Sequence, residues 1–308
     1  MPRSPLFPLR LAALGTVTTL AALAPAPVRP AEPLKLLFTA KKAGNSELYL
    51  ANADGSEPKN LTNNPANDAG GAWSPDGKRI AFASDREGTS DIHVMDADGS
   101  EVKRLTSGPQ QETAPTWSPD GKKIAFCQGT DQLETIEIYV MDADGGNPKN
   151  LTNNSVFDGD LAWSPDGSQI LFATVRDGQG FHFELYLMEA NGANPHSIPA
   201  KKDPNQGLVF PTWAPDGKRI IFADGLEGSA ELFSCDLDGG NRKQLTRMHG
   251  FNIYPTCSPD GKQVAFYHWD DPAKPGSLWV VDNEGNALTQ LVEDIGPFFV
   301  GRPAWKPS

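Results

Sequence analysis

A heptapeptide that recurs along the chain constrains the fold more than any other feature. Its first copy is Trp-Ser-Pro-Asp-Gly-Lys-Arg at 73–79. The copies lie 44 to 50 residues apart and begin at Trp73, Trp117, Trp163, Trp213 and Cys257, with a truncated copy at Trp305. Repeats of about 40–50 residues that contain short strands and tight turns are typical of β-propeller blades. The sequence therefore predicts a ring of blades.

Each repeat predicts four short strands. In the first copy, Trp73 ends one strand and Ser-Pro-Asp-Gly at 74–77 forms a tight turn, because proline, aspartate and glycine suit successive turn positions. Branched and aromatic residues at 80–83 and 92–95 indicate the second and third strands. A second turn, Asp-Ala-Asp-Gly, separates these from a fourth strand that ends at Thr106.

The two ends of the chain each contain part of a repeat. Residues 34–62 carry strands two to four without the first strand, whereas 304–307 supply only that first strand. We therefore predict an all-β fold, a six-bladed β-propeller of four-stranded antiparallel blades. Its last blade is closed by the N- and C-terminal strands, which removes free sheet edges.

Residues 1–31 differ from the repeats and are typical of a secretory signal peptide. Arg3 and Arg10 precede an apolar run at 11–23, and small residues and prolines follow through Ala31. We expect cleavage somewhere within 24–31, leaving the propeller at 32–308. The apolar run is short for a membrane span, although an uncleaved anchor is the alternative. The expected protein is exported, periplasmic or extracellular, and not inserted in a membrane after cleavage.

Charge and cysteine usage restrict the partners. The formal net charge is −12, which argues against nucleic acids and anionic membranes because both select basic surfaces. We expect a monomer whose partner is a protein or peptide. Cys127, Cys235 and Cys257 replace apolar residues of other repeats. Buried thiols are therefore favoured, with a Cys235–Cys257 disulfide as the alternative.

The repeats resemble the WD40-like Pro-Asp repeats of the TolB-type six-bladed β-propellers. The resemblance runs from Leu34 to Ser308, on the Trp-Ser-Pro-Asp-Gly and Asp-x-Asp-Gly motifs. It implies a propeller used for binding or scaffolding in the cell envelope. TolB itself carries an N-terminal α/β domain, for which the sequence predicts no counterpart, so the resemblance does not transfer the whole Tol–Pal role.

Candidate site residues come from the variable segments, since a rigid scaffold commonly carries binding residues on its loops. The Ser-Pro-Asp-Gly turns are expected to share one face of the ring, and we expect recognition on the opposite face, around the channel mouth. The positions three and five before the repeated Trp include carboxylates in three repeats, whereas the other three repeats offer apolar or aromatic residues at or next to these positions. The candidates are Asp68, Glu112, Asp158 and Asp160 on one side, and Leu208, Phe210, Phe251, Tyr254, Phe298 and Phe299 on the other, with Arg302.

Such a mouth would suit a peptide that has a basic group and an apolar anchor. The alternative is that these side chains only close loops. The sequence favours a non-catalytic protein, since no Gly-x-Ser-x-Gly elbow is present. We expect no cofactor, and a calcium or zinc ion bound in the channel is the alternative. His182, His249 and His268 are the candidate ligands, which would make the protein a metal-dependent carbohydrate lyase or hydrolase.

Overall fold

The computed structural model describes residues 34–42, 44–130, 132–176, 182–200, 207–225, 228–297 and 301–307. The expected signal peptide and two candidate residues, Phe298 and Phe299, lie outside these residues. The compact unit runs from Pro33 to Ser308. Within the described residues, no helix combines the length and apolar character needed to cross a membrane.

The described strands form six four-stranded sheets, which are the six predicted blades. Blade 1 contains β4 (Asp68–Trp73), β5 (Arg79–Ser84), β6 (Asp91–Asp96) and β7 (Lys103–Arg104). Blade 2 contains β8 (Gln111–Trp117), β9 (Lys123–Gly129), β10 (Glu137–Asp142) and β11 (Lys149–Asn150), with a 3-10 turn at Leu133–Thr135. Blade 3 contains β12 (Asp158–Trp163), β13 (Gln169–Thr174), β14 (Glu184–Glu189) and β15 (His196–Ser197).

The remaining blades follow the same order from the channel outwards. Blade 4 contains β16 (Leu208–Trp213), β17 (Arg219–Asp224), β18 (Glu231–Asp236) and β19 (Lys243–Gln244). Blade 5 contains β20 (Phe251–Cys257), β21 (Gln263–Trp269), β22 (Ser277–Asp282) and β23 (Thr289–Val292). Blade 6 contains β24 (Ala304–Trp305), β1 (Lys35–Lys42), β2 (Asn45–Asn52) and β3 (Lys59–Asn60).

Blade 6 joins the two ends of the chain. Strand β24 pairs antiparallel with β1, which places Trp305 opposite Leu36 and Ala304 opposite Leu37. The inner strands β4, β8, β12, β16, β20 and β24 contact one another in that order, and β24 returns to β4. The predicted six-bladed ring and its shared last blade are confirmed.

The repeated tryptophans connect neighbouring blades. Trp73 donates its indole N–H to the Ala304 carbonyl at 3.3 Å, and Trp213 and Trp305 make the same bond to the blade before each. These indoles are nearly buried, with 6–7% of their surface exposed. Burying a large aromatic ring at these three junctions excludes water and ties each of these blades to the one before it.

The rest of the heptapeptide builds the turn between the first two strands. In blade 1 the Ser74 hydroxyl donates to the Asp76 carboxylate at 2.7 Å, and the same hydroxyl accepts the Arg79 amide at 2.9 Å. Asp76 also accepts the Lys78 amide. Gly77 has a φ of 65°, which favours glycine. The motif is therefore structural.

The three cysteines are free thiols, so the alternative disulfide is absent. Cys127 and Cys235 are buried, whereas Cys257 is partly exposed. Burial raises the pKa of the Cys257 thiol to about 12.

Candidate functional site

Every inner strand of blades 1 to 5 is interrupted by a β-bulge. The pairing with the second strand shifts between the residues four and one before the repeated Trp, as between Ala69 and Ala72. The residue three before the Trp has a positive φ, and these residues are Gly70, Ala114, Asp160, Phe210 and Tyr254. Non-glycine residues adopt this conformation rarely and at a cost, so its repetition marks a built feature of the channel.

The order of the inner strands fixes which bulge residues lie on opposite sides of the channel. Opposite strands are three blades apart, so Asp160 of β12 lies across from Arg302, which precedes β24. Phe210 lies across from Gly70, and Tyr254 lies across from Ala114. The two large aromatic rings therefore face a glycine and an alanine across the channel. The negative charge of Asp160 faces the positive charge of Arg302.

Asp160 and Arg302 form the charged axis of the channel. The Phe210 amide donates to the Asp160 carboxylate at 3.4 Å, and Arg302 donates to the Pro211 carbonyl at 3.1 Å. Burial raises the pKa of Asp160 to about 6, although the Arg302 charge opposes this shift. Burial also lowers the pKa of Arg302, against the attraction of Asp160. The Arg302 charge therefore offsets only part of the effect of burial on Asp160, and both residues are half-buried.

The aromatic side of the channel is rigid. The ring centroids of Phe210 and Tyr254 are 4.0 Å apart, and Tyr254 meets Tyr267 edge to face at 6.5 Å. Tyr267 contacts Trp269 and accepts the Thr39 amide on its hydroxyl at 2.8 Å. Burial raises the pKa of the Tyr254 hydroxyl. Such interlocked rings hold their positions without help from a ligand.

A cavity of about 570 Å³ occupies the channel on the side of the Ser-Pro-Asp-Gly turns. Asp160, Tyr254 and Arg302 line its inner end, and its wall contains five repeated tryptophans and turn prolines. A cavity of about 210 Å³ lies on the other side and shares Gly70, Ala114 and Gly301 with it. The larger space therefore extends towards the face that carries the turns, not towards the face where we expected recognition.

Three predicted carboxylates lie inside the blades instead of in the channel. Asp68 is fully buried and pairs with Arg86 at 3.0 Å, and Asp158 is fully buried and pairs with Arg176 at 2.6 Å. Glu112 is 5% exposed, and burial raises its pKa. Asp160, Phe210, Tyr254 and Arg302 are the candidates that the structure brings together. Leu208 is buried in one hydrophobic cluster, and Phe251 at the start of β20 packs against a different one.

The candidate histidines are held in different surroundings. The two ring nitrogens of His268 lie 3.0 Å from the Asn252 amide oxygen and 3.3 Å from the Asp270 carboxylate. His249 is exposed and His182 is half-buried. Across the part of the chain that the structure describes, no three His, Cys, Asp or Glu side chains are grouped closely enough to hold a metal ion. The three histidines are therefore not assembled into a site.

The fold and its channel define a closed six-bladed β-propeller with a partly charged, aromatic-lined centre. A sequence profile of the TolB beta propeller domain matches residues 9–136 and 108–308. The chain belongs to this family, as the repeats predicted. No curated protein matches the chain.

Solved structures show the same architecture. TolB from Acinetobacter baumannii superimposes with a TM-score of 0.75 at 24% identity, over 89% of this chain and 67% of that one. A putative TolB from Agrobacterium tumefaciens gives 0.67 at 20% identity, over 84% and 88% of the two chains. A chain of a nidogen/laminin complex gives 0.67 at 15% identity, over 89% and 98%. At these identities the likeness shows the fold.

Proposed function

We propose that this protein is an exported, non-catalytic binding or scaffold module that holds an extended segment of a protein partner in its central channel. Propellers of this family are protein-interacting modules, which supports a protein partner in general terms. The observation that carries the specific proposal is the cavity of about 570 Å³ with a charged inner end and a tryptophan-lined wall.

The channel offers two kinds of contact to one segment. Indole and proline surfaces favour an apolar side chain, because they are large, rigid and already partly shielded from water. Asp160 favours a basic group, since its carboxylate lacks full compensation in the folded protein. A segment that presents an apolar residue beside a basic one would satisfy both.

Export is part of the proposal. The basic, apolar and small-residue order of 1–31 supports a secretory route. The TolB-like repeats support a place in the cell envelope, in the periplasm or outside the cell. The net charge of −12 supports a soluble module that avoids anionic surfaces and attracts basic segments.

A peptide selection would test the channel. A random library would be selected on the purified protein, and the affinity of each enriched peptide would be measured by fluorescence anisotropy. The channel variants are Asp160→Asn and Arg302→Gln. Lys103→Gln is the matched surface control, because Lys103 is exposed on the outer strand β7.

We expect enriched peptides to carry an apolar and a basic residue and to bind Asp160→Asn about tenfold less well, with the surface control unchanged. Arg302→Gln should bind them more tightly, because it removes a cation that competes for Asp160. Equal affinity for the wild type and both channel variants would refute the channel as the site. A melting temperature that rises with calcium or zinc, together with absent peptide binding, would favour the metal-dependent enzyme instead.

A further inference from the structure

The groove between blades 4 and 5 differs from its sister grooves at three repeat positions. Cys257 stands where the other blades have Trp. Ser234 on β18 stands where the other third strands have Leu50, Val94, Val140, Leu187 and Val280. Ala214 stands where the complete sister turns have serine. All three residues line one cavity, so the departures coincide in space.

The groove between blades 1 and 2 shows what normally fills this position. There Trp117 belongs to one buried hydrophobic cluster with Ala81 and Val94 of blade 1. The Arg79 guanidinium lies 4.7 Å from the ring centroid, at the distance of a cation–π contact. Blade 1 thus contributes an apolar wall and a cation, and blade 2 contributes the indole between them.

The groove between blades 4 and 5 has an apolar wall and an arginine at the corresponding positions, but it lacks the indole. Its cavity of about 380 Å³ is lined by Ile221, Ser234 and Leu245, with Arg219 at the position of Arg79. The Arg219 NH2 group donates to the Ser234 hydroxyl at 2.5 Å. Its Nε is buried and has no hydrogen-bond partner among the described residues. An aromatic ring over this guanidinium would supply the contact that Trp117 supplies to Arg79.

The rim of the same groove carries a carboxylate with fewer partners than its sisters. In four turns the serine hydroxyl donates to the turn aspartate at 2.6–2.7 Å. Asp216 cannot receive this bond because residue 214 is alanine; it accepts the Lys218 amide at 2.9 Å and is exposed. Its charge is therefore open to a cation from outside.

We propose that this groove binds an aromatic side chain of a protein partner, with a neighbouring basic residue of that partner on Asp216. The ring would stack on Arg219 and contact the Cys257 sulfur, which favours aromatic neighbours. The occupant is inferred from the sister grooves, where the chain itself provides an indole. This site is additional to the channel, because a ring can enter between the blades without reaching Asp160.

Two synthetic peptides would test the groove. The probe is an acetylated, amidated hexapeptide with a central Trp-Lys pair, and its control has Ala in place of Trp. Binding would be measured by calorimetry on the full chain carrying Asp160→Asn, so that binding of the Trp-Lys pair in the channel does not contribute. Cys257→Trp fills the groove from within, and Arg219→Gln removes the cation but keeps much of the stem. Lys123→Gln is the matched control, since Lys123 holds the position of Arg219 in the groove between blades 2 and 3.

We expect the Trp probe to bind at least about tenfold better than the Ala probe. Arg219→Gln should weaken the Trp probe about three- to tenfold, and Cys257→Trp should abolish its preference over the Ala probe. Lys123→Gln should change neither affinity. Ser234→Leu fills the groove from the other wall, and it replaces Cys257→Trp if that variant does not fold. Equal binding of the two peptides, or a Trp preference that survives filling of the groove, would overturn the proposal.

Discussion

Asp158 and Asp160 lie two residues apart on β12, and we predict that they have separate roles. Asp158 is fully buried and accepts two bonds from Arg176, at 2.6 and 3.1 Å. Asp160 lies in the channel. Asp158→Ala should therefore reduce stability, whereas Asp160→Asn should reduce binding.

The structure sets the size of the first effect. Removing one partner of a buried ion pair costs about 3–5 kcal/mol, because the other charge stays behind. The Arg176 side chain is 21% exposed, so it can turn towards water and recover part of this cost. We expect a loss of about 3 kcal/mol in the free energy of unfolding for Asp158→Ala. For Asp160→Asn we expect a change within about 1 kcal/mol, since the raised pKa shows that its charge is poorly accommodated.

Urea unfolding followed by tryptophan fluorescence would measure both variants. The double variant Asp158→Leu/Arg176→Met is the control, because replacing both charges with apolar groups should restore at least half of the lost stability. Wild-type stability in Asp158→Ala, or a larger loss in Asp160→Asn, would contradict the assignment of roles.

Two further predictions concern the channel. The raised pKa of Asp160 means that the folded state holds its proton more tightly, so this group stabilises the fold below about pH 4 and loses that contribution as the pH rises through about 6. Binding of a basic peptide needs the ionised form, so affinity should fall about three- to tenfold from pH 7.5 to 5, and anisotropy should show no such fall in Asp160→Asn. Gly301→Ala should cost about 1–3 kcal/mol in urea unfolding, because φ is 134° and the new Cβ would lie 2.8 Å from the Gly70 nitrogen. Gly88→Ala, also at positive φ but with open space, should cost less; equal losses would show that the contact is unimportant.

The fold could be predicted because its information is local and repeated. Four of the five complete copies place a serine, and all five place an aspartate and a glycine, where the turn needs them. The partial repeats at the two ends predict that the first and last strands pair, which the structure shows as Leu36 opposite Trp305. The turn residues and strand patterns depend on neighbours along the chain, so they can be recognised in a single sequence.

The site could be predicted only in part, because the bulge is not visible in the sequence. Alternation along a regular strand would place Asp158 and Asp160 on the same face. The bulge at Asp160 changes this relation, so one carboxylate is buried in the blade and the other lines the channel. A usable signal did exist: an arginine follows both Asp68 and Asp158 after 18 residues, and it is the partner in each buried pair.

Pairing of β24 with β1 also has a consequence for how the protein is made. It joins residues roughly 270 positions apart, and contacts of such separation form late because a long loop must close first. The edge of β1 therefore stays without its neighbour until residues 304–305 have been synthesised, so five blades can form before the ring closes.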